Sequence, residues 1–387
     1  MRNTSHDAQS APARTVDKRP LNLLLFLVCA AVMAWTLLNL HPASGTTTTP
    51  VGGARLNLSD KLDVYAHNAS ADALGDMAQT RKIYTLQESA TKAPAPNPAG
   101  FGTTYDPATI ADVIQRATPL LDGQAVAFDP TVEFVPGEPI RYYLDDTILV
   151  IAWKEYINDS CCTLAEVKIA HGSQLRRKLA EDVYGSSVQF YATELAKTVN
   201  AVIASNADYY AYRDQGITVY QRKLYRNKPA LVDTCFFTAS GDMLFSHAGE
   251  LMGEGEAQRF IDDNDVVFSC SFGPILVEDG VVEYHKDYVL GEINIPDSRT
   301  CIAMTDSLHY LLMTVNETVS GRPRININQL ADFISSKNVI KAYALDGGQT
   351  SELVMMGGPI NRIDFGCERT VSDIIYFATA IPEEVWK

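Results

Sequence analysis

Few of the short motifs that announce common chemistries occur in this 387-residue sequence. There is no HExxH, no GxxxxGK[ST] and no GxSxG, so the usual zinc-protease, P-loop and α/β-hydrolase signatures are excluded. The 7 cysteines include no CxxC, which removes the zinc ribbon and the thioredoxin motif. Positive charge is scarce as well: 32 Lys and Arg against 47 Asp and Glu leave a formal net charge of −15. Binding to a phosphate backbone needs a basic face, so no nucleic-acid partner is expected. The histidines are scattered, and His171, His247, His285 and His309 show no metal-ligand spacing, so solvated or structural roles are expected for them; no metal-ligating residue is singled out and the cofactor is left open. Gly253-Glu254-Gly255-Glu256-Ala257-Gln258 starts like a dinucleotide fingerprint, but Gln258 stands where the third glycine belongs. Two glutamates would also repel a pyrophosphate, and the segment reads as an acidic turn.

What is present is ordinary globular composition, 46% hydrophobic, with one long apolar run. Leu21–Leu40 passes twenty residues without a charge, about the length an α-helix needs to cross a bilayer. Arg2, Arg14, Lys18 and Arg19 precede it and Arg55 is the first basic residue after it, so residues 1–20 are expected in the cytoplasm. The rival reading is a cleaved signal peptide, whose apolar region is shorter, about 7–15 residues. The chain is therefore expected to be a single-pass protein of the cell membrane, held through Leu21–Leu40 with its C-terminal part outside. Residues 41–110, with Thr46–Thr49 and the alternating Pro94, Pro96 and Pro98, read as a stalk or linker.

Residues 111–387 are expected to form one α+β domain with a mixed β-sheet core and packed helices. Strands are expected at 141–144, 147–153 and 164–170, then at 201–204, 217–220, 234–237, 266–268, 308–314 and 342–345. A helical stripe covers Pro107–Leu121, and helices are expected within 174–200, first on Leu175, Leu179 and Val183, then on Tyr191, Leu195 and Val199. Gln329–Lys337 reads as another. Strict βαβ repetition is lacking, which argues against a doubly wound sheet.

Two strand ends carry polar residues suited to chemistry. One delivers Asn206, Asp208, Tyr209 and Tyr210; the other delivers Asp346-Gly347-Gly348-Gln349-Thr350-Ser351. Paired glycines after an aspartate permit positive φ and a close approach of backbone to ligand. With them stand Phe272–Gly280, Ser298-Arg299-Thr300 and Glu368-Arg369-Thr370-Val371-Ser372-Asp373. In this order the set resembles the phosphodiester glycosidase family, the group of the mannose-6-phosphate uncovering enzyme and of bacterial exopolysaccharide-biosynthesis proteins. The resemblance spans roughly residues 137–377, with its motif core at about 192–377. Against the family pattern, Ala207 replaces a glycine, Ser298 a proline, Gln349 a glycine and Thr350 a serine.

The resemblance implies hydrolysis of the bond between a sugar's anomeric carbon and a phosphodiester, in cell-surface or exopolysaccharide glycans. The departing phosphate is a weak base, so a strong general acid is less necessary than in ordinary glycosidases, where two carboxylates flank the bond. A carboxylate that activates water or steadies a cationic sugar is still required, with Asp346 and Asp208 as candidates. Arg299 and Arg369 each offer a fork to phosphate oxygens. Asn206, Tyr209, Tyr210, Gly347, Gly348, Thr350, Ser351, Glu368, Ser372 and Asp373 are expected to line the substrate. The same residues would serve glycosyl transfer to an acceptor other than water, or a glycan- or wall-binding module without turnover.

Overall fold

The computed structural model describes residues 84–88, 92–289, 293–316 and 325–387. The expected membrane span and most of the expected stalk lie outside these residues. Among the described residues no helix is long and apolar enough to cross a membrane.

The described residues form nineteen strands and four α-helices. The strands are β1 (Phe101–Thr104), β2 (Ile140–Leu144), β3 (Ile148–Ile157), β4 (Ser160–Ile169), β5 (Leu175–Leu179), β6 (Ile203–Asn206), β7 (Gly216–Tyr220), β8 (Lys223–Lys228), β9 (Thr234–Thr238) and β10 (Met243–Ser246). They continue as β11 (Val266–Cys270), β12 (Ile275–Glu278), β13 (Val281–Val282), β14 (Arg299–Asp306), β15 (His309–Asn316), β16 (Lys341–Leu345), β17 (Leu353–Met355), β18 (Gly358–Pro359) and β19 (Asp373–Phe377). The helices are α1 (Pro107–Leu121), α2 (Ala192–Val199), α3 (Glu256–Asp263) and α4 (Ile327–Ser335). Strands outnumber helices and do not alternate with them, so the α+β class holds.

A nine-stranded sheet, β1-β2-β3-β4-β15-β14-β16-β12-β13, organises the domain, and a five-stranded sheet, β18-β17-β6-β19-β5, packs on it. Every described strand pairing is antiparallel, where a mixed sheet was expected. The central strands β3, β4 and β15 are buried along nearly their whole length, because both faces of the large sheet are covered. On one face, Ile110 and Val113 of α1 and Leu330 and Ile334 of α4 pack on Leu149, Trp153 and Leu311. On the other, Val150, Val167 and Leu312 meet Ile203, Leu353 and Phe377 of the smaller sheet. Full burial of such an aliphatic or aromatic side chain stabilises by about 1.5–3 kcal/mol, so these two layers dominate the fold.

α1 follows its local signals. Asp106 caps it by accepting from the Ala108 amide at 3.0 Å, Pro107 sits in the first turn, and Asp122 closes it in the left-handed conformation. The segment with Leu175 and Leu179 is a strand, not the expected helix. A spacing of four is also an even spacing, so both leucines, and Arg177 between them, fall on the buried face of β5 as it pairs with β19.

Within the stretch read as stalk, the described part is packed. β1 pairs with β2, the Phe101 ring lies 4.5 Å from that of Tyr143, Ala93 is buried, and the Leu86 amide donates to Ser173 Oγ at 2.9 Å.

Candidate functional site

The C-terminal ends of β6 and β16 belong to different sheets and are stitched together by Asn206 and Asp346. Asn206 Nδ2 donates to the Asp346 carbonyl at 2.6 Å, and the Asp346 amide donates to the Ala207 carbonyl at 2.9 Å. Asn206 Oδ1 accepts from Thr300 Oγ1 of β14 and from the Glu352 amide, both at 3.1 Å. The fully buried Asn206 thus ties three strands to the loop and faces no open space.

The loop after β16 is held close to the Ser298 backbone. A Cβ on Gly347 would lie 2.6 Å from the Ser298 carbonyl oxygen, so a side chain there must displace backbone. Gly348 has φ +66° and its amide donates to the same carbonyl at 2.9 Å, a conformation that favours glycine. Asp346 remains partly open to solvent. Its Oδ1 accepts from the Gly347 amide at 3.0 Å and its Oδ2 from Thr350 Oγ1 at 2.8 Å. Burial pushes its carboxyl up to about 6 and the nearby Asp208 charge adds to the rise, against the hydrogen bonds from Thr350 and Gly347 and the charge of Arg213.

Asp208, the other carboxylate candidate, lies beneath this loop and is braced on all sides. Its amide donates to Asp373 at 3.2 Å, its Oδ1 accepts from the Tyr209 amide at 2.7 Å, and its Oδ2 accepts from the Ser271 amide at 2.9 Å. Arg177, fully buried at its side chain, donates from Nε to Asp373 Oδ2 at 2.7 Å, and its Nη2 stands 2.6 Å from the same oxygen and 3.6 Å from Asp208 as an ion pair. Burial pushes the Asp373 carboxyl up, and Arg177 opposes it. Ser372 Oγ donates to Asp373 at 3.3 Å, so Ser372 and Asp373 belong to this buried network.

The two tyrosines separate. Tyr210 is buried, its ring stacked on Tyr184 at 5.4 Å with the Arg177 guanidinium 5.3 Å from its centroid. Tyr209 is partly exposed and stacks on the exposed Tyr212 at 4.7 Å, leaving an aromatic surface at the edge of the site. Arg213 donates from Nη1 to the Phe272 carbonyl at 2.8 Å and lies 4.5 Å over the Phe272 ring.

Arg299 follows Ser298 directly and is partly exposed, with Nη2 donating to the Ile295 carbonyl at 2.6 Å. Gln349, the departure from the family pattern, donates from Nε2 to the Cys367 carbonyl at 3.2 Å and so joins its loop to the segment carrying Glu368 and Arg369. Glu368 accepts from Thr193 Oγ1 at 2.8 Å. Beside it lies the buried Glu352, whose carboxyl is raised to about 9 by burial and then by the Glu368 charge. Arg369 is exposed and makes no ion pair among the described residues. Thr350 and Ser351 are buried, Thr350 under Asp346.

Asp346, Gly347 and Gly348 thus lie in a half-buried turn held against the Ser298–Arg299 backbone, and Arg299 and Tyr209 are themselves half-buried. Asn206, Asp208, Tyr210, Ser372 and Asp373 form the frame below this turn. Arg177, Arg213 and Glu352 had no signal in the sequence, because their partners lie up to 196 residues away. Of the described residues, the group of His, Cys, Asp and Glu side chains with metal-donor atoms gathered within 4.8 Å is elsewhere, at His247, Glu278 and Glu283.

Residues 199–378 match the model of the phosphodiester glycosidase family. They span both motif-bearing strand ends and the Glu368–Asp373 segment. An uncharacterised SPbeta prophage-derived protein of Bacillus subtilis, YomE, is 23% identical over 200 residues, which is 50% of this chain and 30% of that protein. The chain thus spans less than a third of that relative's length. Among solved structures, the catalytic domain of zebrafish N-acetylglucosamine-1-phosphodiester alpha-N-acetylglucosaminidase, auto-inhibited by its pro-peptide, superposes with a TM-score of 0.49 and 17% identity, covering 60% of this chain and 83% of that one. A hypothetical protein from Synechocystis gives 0.45 and 14%, covering 62% and 64%. The family match supports a glycosidase-type function.

Proposed function

We propose that the domain hydrolyses a sugar-1-phosphodiester in a cell-surface or exopolysaccharide glycan, with Asp346 as the carboxylate that activates water or steadies the cationic sugar. The observation that carries this reading is the state of Asp346. Burial raises the carboxyl of this half-buried aspartate to about 6, on a glycine turn held against the Ser298 carbonyl. A base whose pKa lies near the working pH is well matched to proton transfer at neutral pH. Arg299 beside the loop and Arg213 across it supply positive charge in an acidic chain, where they favour a phosphate over neutral glycans. Tyr209 and Tyr212 offer rings to a sugar face. Asp208 then acts through the frame, by holding the Ser271 and Tyr209 amides.

The test is a panel of sugar-1-phosphodiesters incubated with the purified full-length chain. Release of free sugar together with a phosphomonoester supports hydrolysis. Transfer of the sugar to an added alcohol, or saturable binding with no release, overturns it in favour of a transferase or a binding module.

We also propose that Leu21–Leu40 holds the protein in the cell membrane with the domain outside, from its length and the basic residues that precede it. Protease added to intact cells then removes the domain. Protection until the membrane is opened contradicts that orientation.

A further inference from the structure

β12 runs away from the Asp346 loop, since it pairs antiparallel with β16, and its far end carries a second cluster of chemical groups. Glu278 closes β12, Glu283 follows β13, and His247 follows β10, so three separate segments converge there. His247 Nε2 lies 3.0 Å from Glu278 Oε2 and 4.0 Å from Glu283 Oε1, and the donor atoms of all three lie within 4.8 Å of one another. Each side chain is about one third exposed, so the cluster opens to solvent and stays accessible to an ion.

The surroundings leave this cluster short of positive charge. Asp233 stands behind it, buried, with Oδ1 accepting from the Ala248 amide at 2.9 Å and Oδ2 from the Ile275 amide at 3.1 Å. Neither Glu278 nor Glu283 is paired with a lysine or arginine among the described residues. His285, the other imidazole nearby, has its Nε2 engaged with the Ile275 carbonyl at 2.6 Å. Three carboxylates therefore gather around the His247 imidazole, whose Nε2 contacts Glu278. The backbone of the cluster is fixed: the His247 amide donates to Glu250 Oε2 at 2.9 Å, and β12 is hydrogen-bonded to β13 and β16.

We propose that His247 Nε2, Glu278 Oε2 and Glu283 Oε1 form a binding site for a zinc-like divalent cation, distinct from the Asp346 site. An ion bound at about 2.0–2.2 Å to each donor in tetrahedral geometry requires donors a little over 3 Å apart, so from 3.0 and 4.0 Å about His247 the partly exposed side chains close on it by a small shift. One imidazole with two carboxylates is a borderline donor set, which favours Zn2+ over Mg2+ and Ca2+. Three protein ligands leave a fourth position for water. Binding requires His247 Nε2 to present its lone pair to the ion, so a proton on that nitrogen is displaced to Nδ1 or, from the imidazolium, to solvent. His247 lies 31 residues before Glu278 in sequence, which is why no ligand spacing joins it to the two glutamates there.

The experiment is calorimetric titration of the full-length chain with ZnCl2, in wild type and in His247→Gln, Glu278→Gln and Glu283→Gln. Wild type is expected to take up one more Zn2+ per chain than each variant, or to hold it at least about tenfold more tightly. An excess of Mg2+ or Ca2+ is expected not to displace it. Zinc should also raise the melting temperature of wild type and leave the variants unmoved, while all four melt alike without metal. Equal zinc uptake and affinity in wild type and variants, or no saturable uptake at all, overturns the proposal. Glycosidase activity is not part of the readout, so the two proposals fail independently.

Discussion

Replacing Asp346 by Asn should stabilise the folded domain near pH 8 while removing the carboxylate. Folding raises this carboxyl from an ordinary 3.8 to about 6. A shift of about two units costs the folded state up to about 3 kcal/mol once the group is ionised. Because the folded pKa is the higher one, this cost is absent below about pH 4, grows between 4 and 6, and is complete above 6. Asn carries no charge and escapes it. The variant keeps an acceptor for the Gly347 amide but loses the acceptor that Thr350 Oγ1 now uses at 2.8 Å. A hydrogen bond to a charged group contributes about 1.5–3 kcal/mol, although Thr350 Oγ1 also lies 2.7 Å from the Gly347 carbonyl and can turn to it. The net expectation is a gain of about 1–2 kcal/mol at pH 8, which shrinks or reverses as pH falls through 6 towards 4. Urea unfolding of both proteins across that range measures it, and titrations elsewhere cancel in the difference. A variant equally destabilised at pH 8 and pH 4.5 would refute the argument that burial strains this carboxylate.

Three further outcomes follow from the geometry. Arg177→Met leaves Asp373 and Asp208 buried without their cation and should cost about 3–5 kcal/mol by chemical denaturation. Gly347→Ala places a methyl 2.6 Å from the Ser298 carbonyl, so catalysis should fall sharply with a small change in melting temperature; unaltered kinetics would show the loop is not needed in its present place. Deleting all residues before Asp106 removes β1 from the large sheet and uncovers Tyr143, so the melting temperature should fall while unfolding stays cooperative.

The sequence made some parts of this molecule legible and concealed others for physical reasons. α1 was visible because its cap, its proline and its apolar stripe are all local. β5 was misread because Leu175 and Leu179 suit either period, and only the pairing with β19 decides between them. The Asp346-Gly347-Gly348 turn was visible because glycine is needed where it lies. Asp208 stood second to Asp346 as a carboxylate candidate and Tyr210 beside Tyr209 as a ring, and burial separates them: Asp208 is 4% and Tyr210 3% exposed. The Arg177 fork was hidden because its partner is on the last strand, β19.

The central claim is that Asp346 carries turnover of a sugar-1-phosphodiester. Steady-state hydrolysis of a nitrophenyl sugar-1-phosphodiester by wild type and Asp346→Asn, followed from pH 4.5 to 8, tests it most directly. Wild-type kcat/KM should rise with pH and level off above about 6, in step with the raised carboxyl. The variant should lose about two or more orders of magnitude while remaining folded. Turnover by folded Asp346→Asn equal to wild type, or a wild-type profile with no break near pH 6, would contradict the account.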